Sequence, residues 1–183
     1  MKNFKNKIAV GLLSLSFLTF ITSCLSQKEK LAQNAVVKSL INQKYFKFVA
    51  NSAQPQRTSY FFPFNNFNFV INPMITQNLN GYYNLTIKRD TLDCNLPYFG
   101  QVYQSLAYNS SDQGIKFISN NFSYDLKENK NGNYNITIIP KEKQRANKFY
   151  LNVSLDGTAS LNINFNDREG ILFYGNIQQV DKN

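Results

Sequence analysis

Few residues in this chain could carry chemistry. Its 183 residues hold 20 Lys and Arg, 11 Asp and Glu, two Cys and no His. Without an imidazole there is no His-based acid/base pair, no Cys/His zinc site, and no Ser-His-Asp or Cys-His nucleophile. Two cysteines do not make a disulfide scaffold. The more informative of them is Cys24, which ends the run Ile21-Thr22-Ser23-Cys24. Ahead of it lie a basic start (Lys2, Lys5, Lys7) and an apolar stretch from Ile8 to Ile21, interrupted only by Gly11, Ser14, Ser16 and Thr19. A permanent bilayer span needs about 20 apolar residues, so this stretch is too short, and its layout is that of a secretory signal. Ile21 is too bulky for the −3 position of an ordinary signal-peptidase site. A branched aliphatic, two small residues and then Cys form the bacterial lipobox, in which the thiol takes a diacylglycerol and the new amino terminus is acylated, commonly with palmitate. One chain holds a protein to a membrane reversibly and two hold it firmly, at about 0.8 kcal/mol per buried CH₂. The expectation is a signal peptide over 1–23, lipid on Cys24, a tether over 24–29 and a single domain over 30–183. The mature chain then has 160 residues and, with three lysines removed, a charge of +6 in place of +9.

The other reactive groups have ordinary readings. With Cys24 lipidated, Cys94 has no partner for an internal disulfide, and Asp93 beside it is the opposite of the electropositive setting that activates a thiol. It is expected to be a small packed filler. Asp90 with Asp93, and Asp167 with Glu169, are the carboxylate pairs to consider for acid/base work. A glycosidase holds its two carboxyls about 5–9 Å apart across a cleft, whereas acids at hairpin tips are common turn formers. No calcium loop or zinc set is present, so no metal and no cofactor are expected. Lysines 28, 30, 38, 44 and 47 and the segment from Lys141 to Lys148 could face acidic headgroups or anionic glycans. There is no basic stripe or reading helix for nucleic acid.

Two aromatic segments are candidate binding surfaces. In Leu96-Pro97-Tyr98-Phe99-Gly100, followed by Tyr103, Pro97 denies a sheet one donor and Gly100 admits close backbone approach, so this is a strand entry or a bend. Tyr98 and Phe99 point to opposite faces if extended: they could plug a corner or offer a platform to a sugar ring or lipid headgroup. The run Tyr60-Phe61-Phe62-Pro63-Phe64 could be core or an exposed patch for a partner.

Several elements must position these residues. Lys30 to Gln43 has helical spacing, with Ala32, Val36, Leu40, Val37 and Ile41 on one broad face. From Tyr45 the period becomes two. Strands are expected around Phe46–Ala50, Phe67–Ile71, Tyr83–Ile87, Val102–Ala107, Ile115–Leu126 (long or broken), Tyr134–Ile138, Leu151–Leu155, Ala159–Phe165 and Ile171–Ile177, with Gln54 to Pro63 a loop. Asn131-Gly132 and Asp156-Gly157 are hairpin signals. Alternation with Asn and Ser on the outer side indicates antiparallel sheet with one wet face. A hydrophobic content of 43% suffices for a core. The fold class is therefore mainly β (α+β): an antiparallel β-sandwich or barrel-like sheet of about eight to ten strands with one N-terminal helix.

Asp90-Thr91-Leu92, Leu96-Pro97-Tyr98-Phe99-Gly100, Tyr103, Gly114-Ile115-Lys116-Phe117, Gly157-Thr158-Ala159-Ser160-Leu161, Asp167-Arg168 and Phe173-Tyr174-Gly175 together resemble a Bacteroidota envelope lipoprotein family catalogued as domain of unknown function 4251. The likeness runs from about Phe46 to Ile177. It implies a lipidated, mostly β domain with no established activity. This chain departs from the family pattern in having Gln101 for a basic residue, Arg89 for Gly and Tyr134 for Trp. Asp90-Thr91-Leu92 also matches an Asp-Ser/Thr-aliphatic O-glycosylation pattern of such bacteria. The expected function is a lipid-anchored, monomeric, non-catalytic binding module of the cell envelope, on the outer membrane with its domain outside the cytoplasm. Its glycan, lipid or envelope-protein partner would meet Tyr98, Phe99 and Tyr103, or Phe61 and Phe62. The alternatives are a carboxylate-dependent hydrolase of an envelope glycan and a purely structural interaction protein.

Overall fold

The computed structural model describes residues 29–56, 60–64, 67–71, 76–100, 114–142 and 146–180. Helix α1 covers residues 29–42. The strands are β1 (Tyr45–Pro55), β2 (Tyr60–Phe64), β3 (Phe67–Ile71), β4 (Gln77–Asn78), β5 (Asn84–Lys88), β6 (Thr91–Pro97), β7 (Gly114–Ser119), β8 (Phe122–Glu128), β9 (Tyr134–Pro140), β10 (Ala146–Val153), β11 (Thr158–Phe165) and β12 (Ile171–Gln178). Most alternate buried and accessible residues, as a sheet with one dry face requires. The dry face carries Phe46, Phe48, Leu85, Ile87, Leu92, Leu96, Ile138, Phe149, Leu151, Leu161, Ile163, Ile171 and Phe173, all at 0% exposure. Emptying one of these phenylalanine positions to alanine costs about 3–5 kcal/mol.

The main sheet runs β7-β6-β5-β1-β12-β11-β10-β9-β8, with β4 added beside β1, and every pair is antiparallel. It curls into a nearly closed, barrel-like body. Only Asn120 and Asn121 separate the two end strands, β7 and β8, in the chain. Alternating antiparallel pairs along this path give those two strands the same direction, so they behave as one long strand with a break. Its first half pairs with β6 and its second half with β9. The break is held from both sides: the Thr91 hydroxyl donates to Asn120 Oδ1 (3.1 Å), and the Lys141 N–H donates to the Asn121 carbonyl (2.8 Å). The Ser119 hydroxyl bridges it, donating to the Asn121 carbonyl (3.2 Å) and accepting from the Asn121 N–H (3.3 Å). Read this way, β1, β5, β6, β7–β8, β9, β10, β11 and β12 follow one another around the barrel in chain order, and the β1–β12 pairing completes the circuit. Eight strand positions enclose an interior that side chains can fill. The Phe117 and Phe149 rings, from β7 and β10, meet inside it at 5.9 Å.

Helix α1 covers one end, where the β10–β11 hairpin turns through residues 154–157. Val37 and Ile41 face inward and are buried. The Gln33 amide donates to the Asp156 carbonyl, and the Asn34 amide, oriented to donate, reaches the Leu155 carbonyl at 2.7 Å. Gly157, at φ 85°, lies under the helix; a Cβ there would be 3.3 Å from Val37 Cγ2. The turn after α1 docks on the β5–β6 turn, with the Arg89 N–H donating to the Lys44 carbonyl at 2.7 Å. Arg89 adopts φ 52°, the region in which glycine alone is unstrained.

The barrel-like, antiparallel, helix-topped fold agrees with the expectation, and three local expectations are corrected. Ala32 and Val36 are exposed, because the inward face of α1 is centred on Val37 and Ile41. Leu96 and Pro97, expected at a strand entry or a bend, form the exit of a strand that begins at Thr91 and turns Leu92, Cys94 and Leu96 inward. β1 runs on to Pro55, past an irregularity between Ala50 and Ser52, and β2 begins at Tyr60, so both ends of the segment from Gln54 to Pro63 expected as loop are strand. The Asn131-Gly132 hairpin signal is borne out: β8 and β9 pair across residues 129–133, with Gly132 at φ 79°. The expected strand at Val102 to Ala107 lies outside the described residues.

Candidate functional site

The barrel end away from α1 has a corner built from the exit of β6 and the turn between β11 and β12. After Pro97 the chain leaves the sheet, and the Tyr98 ring meets the Phe165 ring edge-on at 5.3 Å and 73°. The Tyr98 hydroxyl donates to the Glu169 carbonyl at 2.9 Å. Arg168 lies over both rings, its guanidinium 4.9 Å from the Tyr98 centroid and 5.7 Å from that of Phe165. The guanidinium forks onto Asp167, Nε to Oδ1 and an Nη to Oδ2, each at 3.2 Å. The Arg168 side chain is 5% exposed and that of Asp167 16%. A planar cation is favoured in such a place because it stacks on aromatic faces while its edge binds a carboxylate in two directions. Glu169 is buried as well. The Gln56 N–H donates to the Gly170 carbonyl at 3.0 Å and ties the turn to the end of β1.

Phe99 stands beside this assembly, 36% exposed. Gly100 follows; a Cβ on it would overlap the Tyr98 ring, so glycine leaves room for the packed tyrosine. Among the described residues the corner is a packed ledge with one exposed aromatic ring, Phe99, at its rim. Asp167 and Arg168 hold each other, and the Tyr98 hydroxyl donates to the Glu169 backbone.

The remaining candidates are dispersed. Tyr103 and Cys24 lie outside the described residues. Phe61 and Phe62 are in β2, opposite Val70 and Phe69 of β3, in a two-stranded sheet that joins no strand of the barrel among the described residues. Cys94 is buried on the dry face of β6, where burial first and the Asp93 charge second push its thiol pKa up, leaving it protonated. Asp93 points to the wet side of that strand, opposite Thr86 and Ile118. Among the described residues no three His, Cys, Asp or Glu gather as metal ligands. None of their helices is long and apolar enough to cross a membrane. Arg168 was missed as a site residue because a cation between two acids in a turn has the pattern of solvated charge. The available signal was Asp167-Arg168 among the motifs that carry the family resemblance.

Those motifs now have physical roles. Gly175 faces Ala50 at the irregular point of β1, where a Cβ would collide with the Val49 carbonyl, and Tyr134 fills the interior at 2% exposure. No curated protein matches the chain. A family profile matches residues 28–177, which spans α1, nearly the whole barrel and the corner. The chain belongs to the family described as Domain of unknown function (DUF4251).

Proposed function

We propose that this is a lipid-anchored protein of the bacterial cell envelope, of the Bacteroidota type, that acts as a non-catalytic binding module. The observation that carries the anchor is Ile21-Thr22-Ser23-Cys24 directly after a short basic start and an apolar run. Cys24 takes the lipid, and the barrel works outside the cytoplasm. What supports a binding rather than a catalytic role is the engagement of Asp167, Arg168 and Tyr98 with one another, beside which Phe99 is the exposed aromatic ring among the described residues of the corner. An exposed ring on a packed ledge suits a glycan ring or an apolar side chain of a partner protein. The β2–β3 hairpin favours a second reading: Phe61, Phe62 and their neighbours form a separate small sheet, which suits an envelope-protein partner.

Palmitate labelling of cells expressing the wild type and Cys24→Ser tests the anchor. Label should enter only the wild type, which fractionates with membranes; equal label in both, or none in either, refutes it. For the corner, Phe99→Ser should keep the wild-type melting temperature and lose retention on isolated envelope fragments. Unchanged retention removes Phe99 from the binding surface.

A further inference from the structure

A helix that caps a barrel is expected to be apolar on the side it buries and polar on the other. Helix α1 breaks this rule in its first half. Leu31, Ala32, Ala35 and Val36 are all exposed, Leu31 at 68% and Val36 at 55%, and their spacing places them together on the side opposite Val37 and Ile41. The second half is ordinary, with Ser39, Asn42 and Gln43 outward. The apolar patch is thus confined to the end of α1 nearest Cys24, with exposed Lys38 at one edge and exposed Glu29 at the other. Four residues separate Cys24 from Glu29, the first of the helix, a reach of about 17 Å when fully extended. Between Cys24 and Lys47 the sequence has five lysines and one glutamate, a balance that favours an anionic surface.

We infer that the outward side of the first two turns of α1 lies in the headgroup region of an anionic lipid bilayer, with Leu31 and Val36 dipping below it and Lys38 at phosphate level. The inference rests on the Cys24 anchor for its proximity to lipid. Its mode is that of an interfacial helix, shallow and parallel to the surface. The anchor alone would leave the barrel swinging on a short leash; the helix fixes which end faces the membrane and turns the Tyr98–Arg168 corner away from it.

The chain has no tryptophan, so a single introduced one reports cleanly. The full chain carrying Ala35→Trp, expressed in a bacterium that acylates lipoproteins, is reconstituted on phosphatidylethanolamine vesicles with or without phosphatidylglycerol. The expected result is a blue shift and quenching by brominated lipid on the anionic vesicles. Both are lost in about 1 M salt, where the Debye length is about 3 Å, and on adding Leu31→Asp with Val36→Asp. Tyr82→Trp, at a position 85% exposed and away from α1, should keep its aqueous emission. An Ala35→Trp signal unmoved by excess anionic vesicles overturns the inference whatever the protein's mass. A shift that grows with protein concentration in the absence of vesicles overturns it in favour of a second copy of the chain. An intact mass without lipid defeats the anchor separately, and the same tryptophan still decides the helix.

Discussion

Arg168→Ala should unfold the corner, and the structure sets the size of the effect. The substitution removes a guanidinium stacked 4.9 Å above Tyr98, a contact worth about 1–2 kcal/mol when desolvated. It also leaves the Asp167 carboxylate, 16% exposed, without its partner. Breaking a buried pair from one side costs about 3–5 kcal/mol, and the residual access of water to Asp167 places this case at the lower end. The two losses share the same atoms and do not add fully, so the expected total is about 3–4 kcal/mol. For a domain of this size that lowers Tm by about 6–16 °C. Urea unfolding followed by circular dichroism should show the midpoint falling with an unchanged slope. The double change Asp167→Leu with Arg168→Met, which keeps the packing and removes both charges, should recover most of the loss. Stability of Arg168→Ala within about 0.5 kcal/mol of wild type, the range of an ordinary surface substitution, would refute the claim that this pair holds the corner.

Other expectations follow from single groups. The Tyr124 hydroxyl is buried with no hydrogen-bond partner among the described residues, while Lys44 Nζ sits 4.9 Å from its ring centroid. Tyr124→Phe keeps the ring contact and removes a desolvated hydroxyl, so stability should be unchanged or higher by up to about 1 kcal/mol in urea titration. The Thr158 hydroxyl and N–H donate to Asp156 Oδ1 at 2.7 and 3.0 Å and hold its carboxyl below the usual range. That contribution is complete above the unfolded pKa of about 3.9 and is lost as pH falls through the lower folded value. In thermal melts the wild type should exceed Asp156→Asn at pH 6, and the gap should close on acidification below about pH 4. Cys94, buried and held protonated, should resist a thiol reagent at pH 8 until urea unfolds the chain; rapid labelling of the native protein would show that β6 opens locally.

The sequence made the barrel legible wherever alternation was strict. Ala159, Leu161 and Ile163 against Ser160, Asn162 and Asn164 state a half-buried strand without help, and Asp156-Gly157 states its turn. β6 was hidden because its inward set, Leu92, Cys94 and Leu96, is short and centred on a cysteine, while Asp90, Asn95 and Pro97 are residues of turns. The helix was legible as a helix but not in its orientation, since Leu31, Ala32, Ala35 and Val36 compete with Val37, Leu40 and Ile41 for the buried side. Only the barrel end chooses between them. The corner was half legible. Tyr98 and Phe99 declared themselves by type and by the neighbouring proline and glycine, but Arg168 is 70 residues further on, and its stacking on Tyr98 depends on a closure that no local pattern encodes.

The pairing of β1 with β12 sets the order in which the molecule can be finished. Phe48 must wait for Ile177, so the first strand to emerge from a ribosome or translocation pore is left with one bare flank until almost the last residues arrive. Contacts of such long sequence separation form slowly, and an unprotected strand flank invites pairing with a stranger. The hairpins from β8 to β12 can assemble on their own, and β12 then offers β1 a ready template. Truncation a few residues inside the carboxyl end should therefore be far more harmful than loss of the same number beyond Val180, because it removes the clasp on which the whole ring depends.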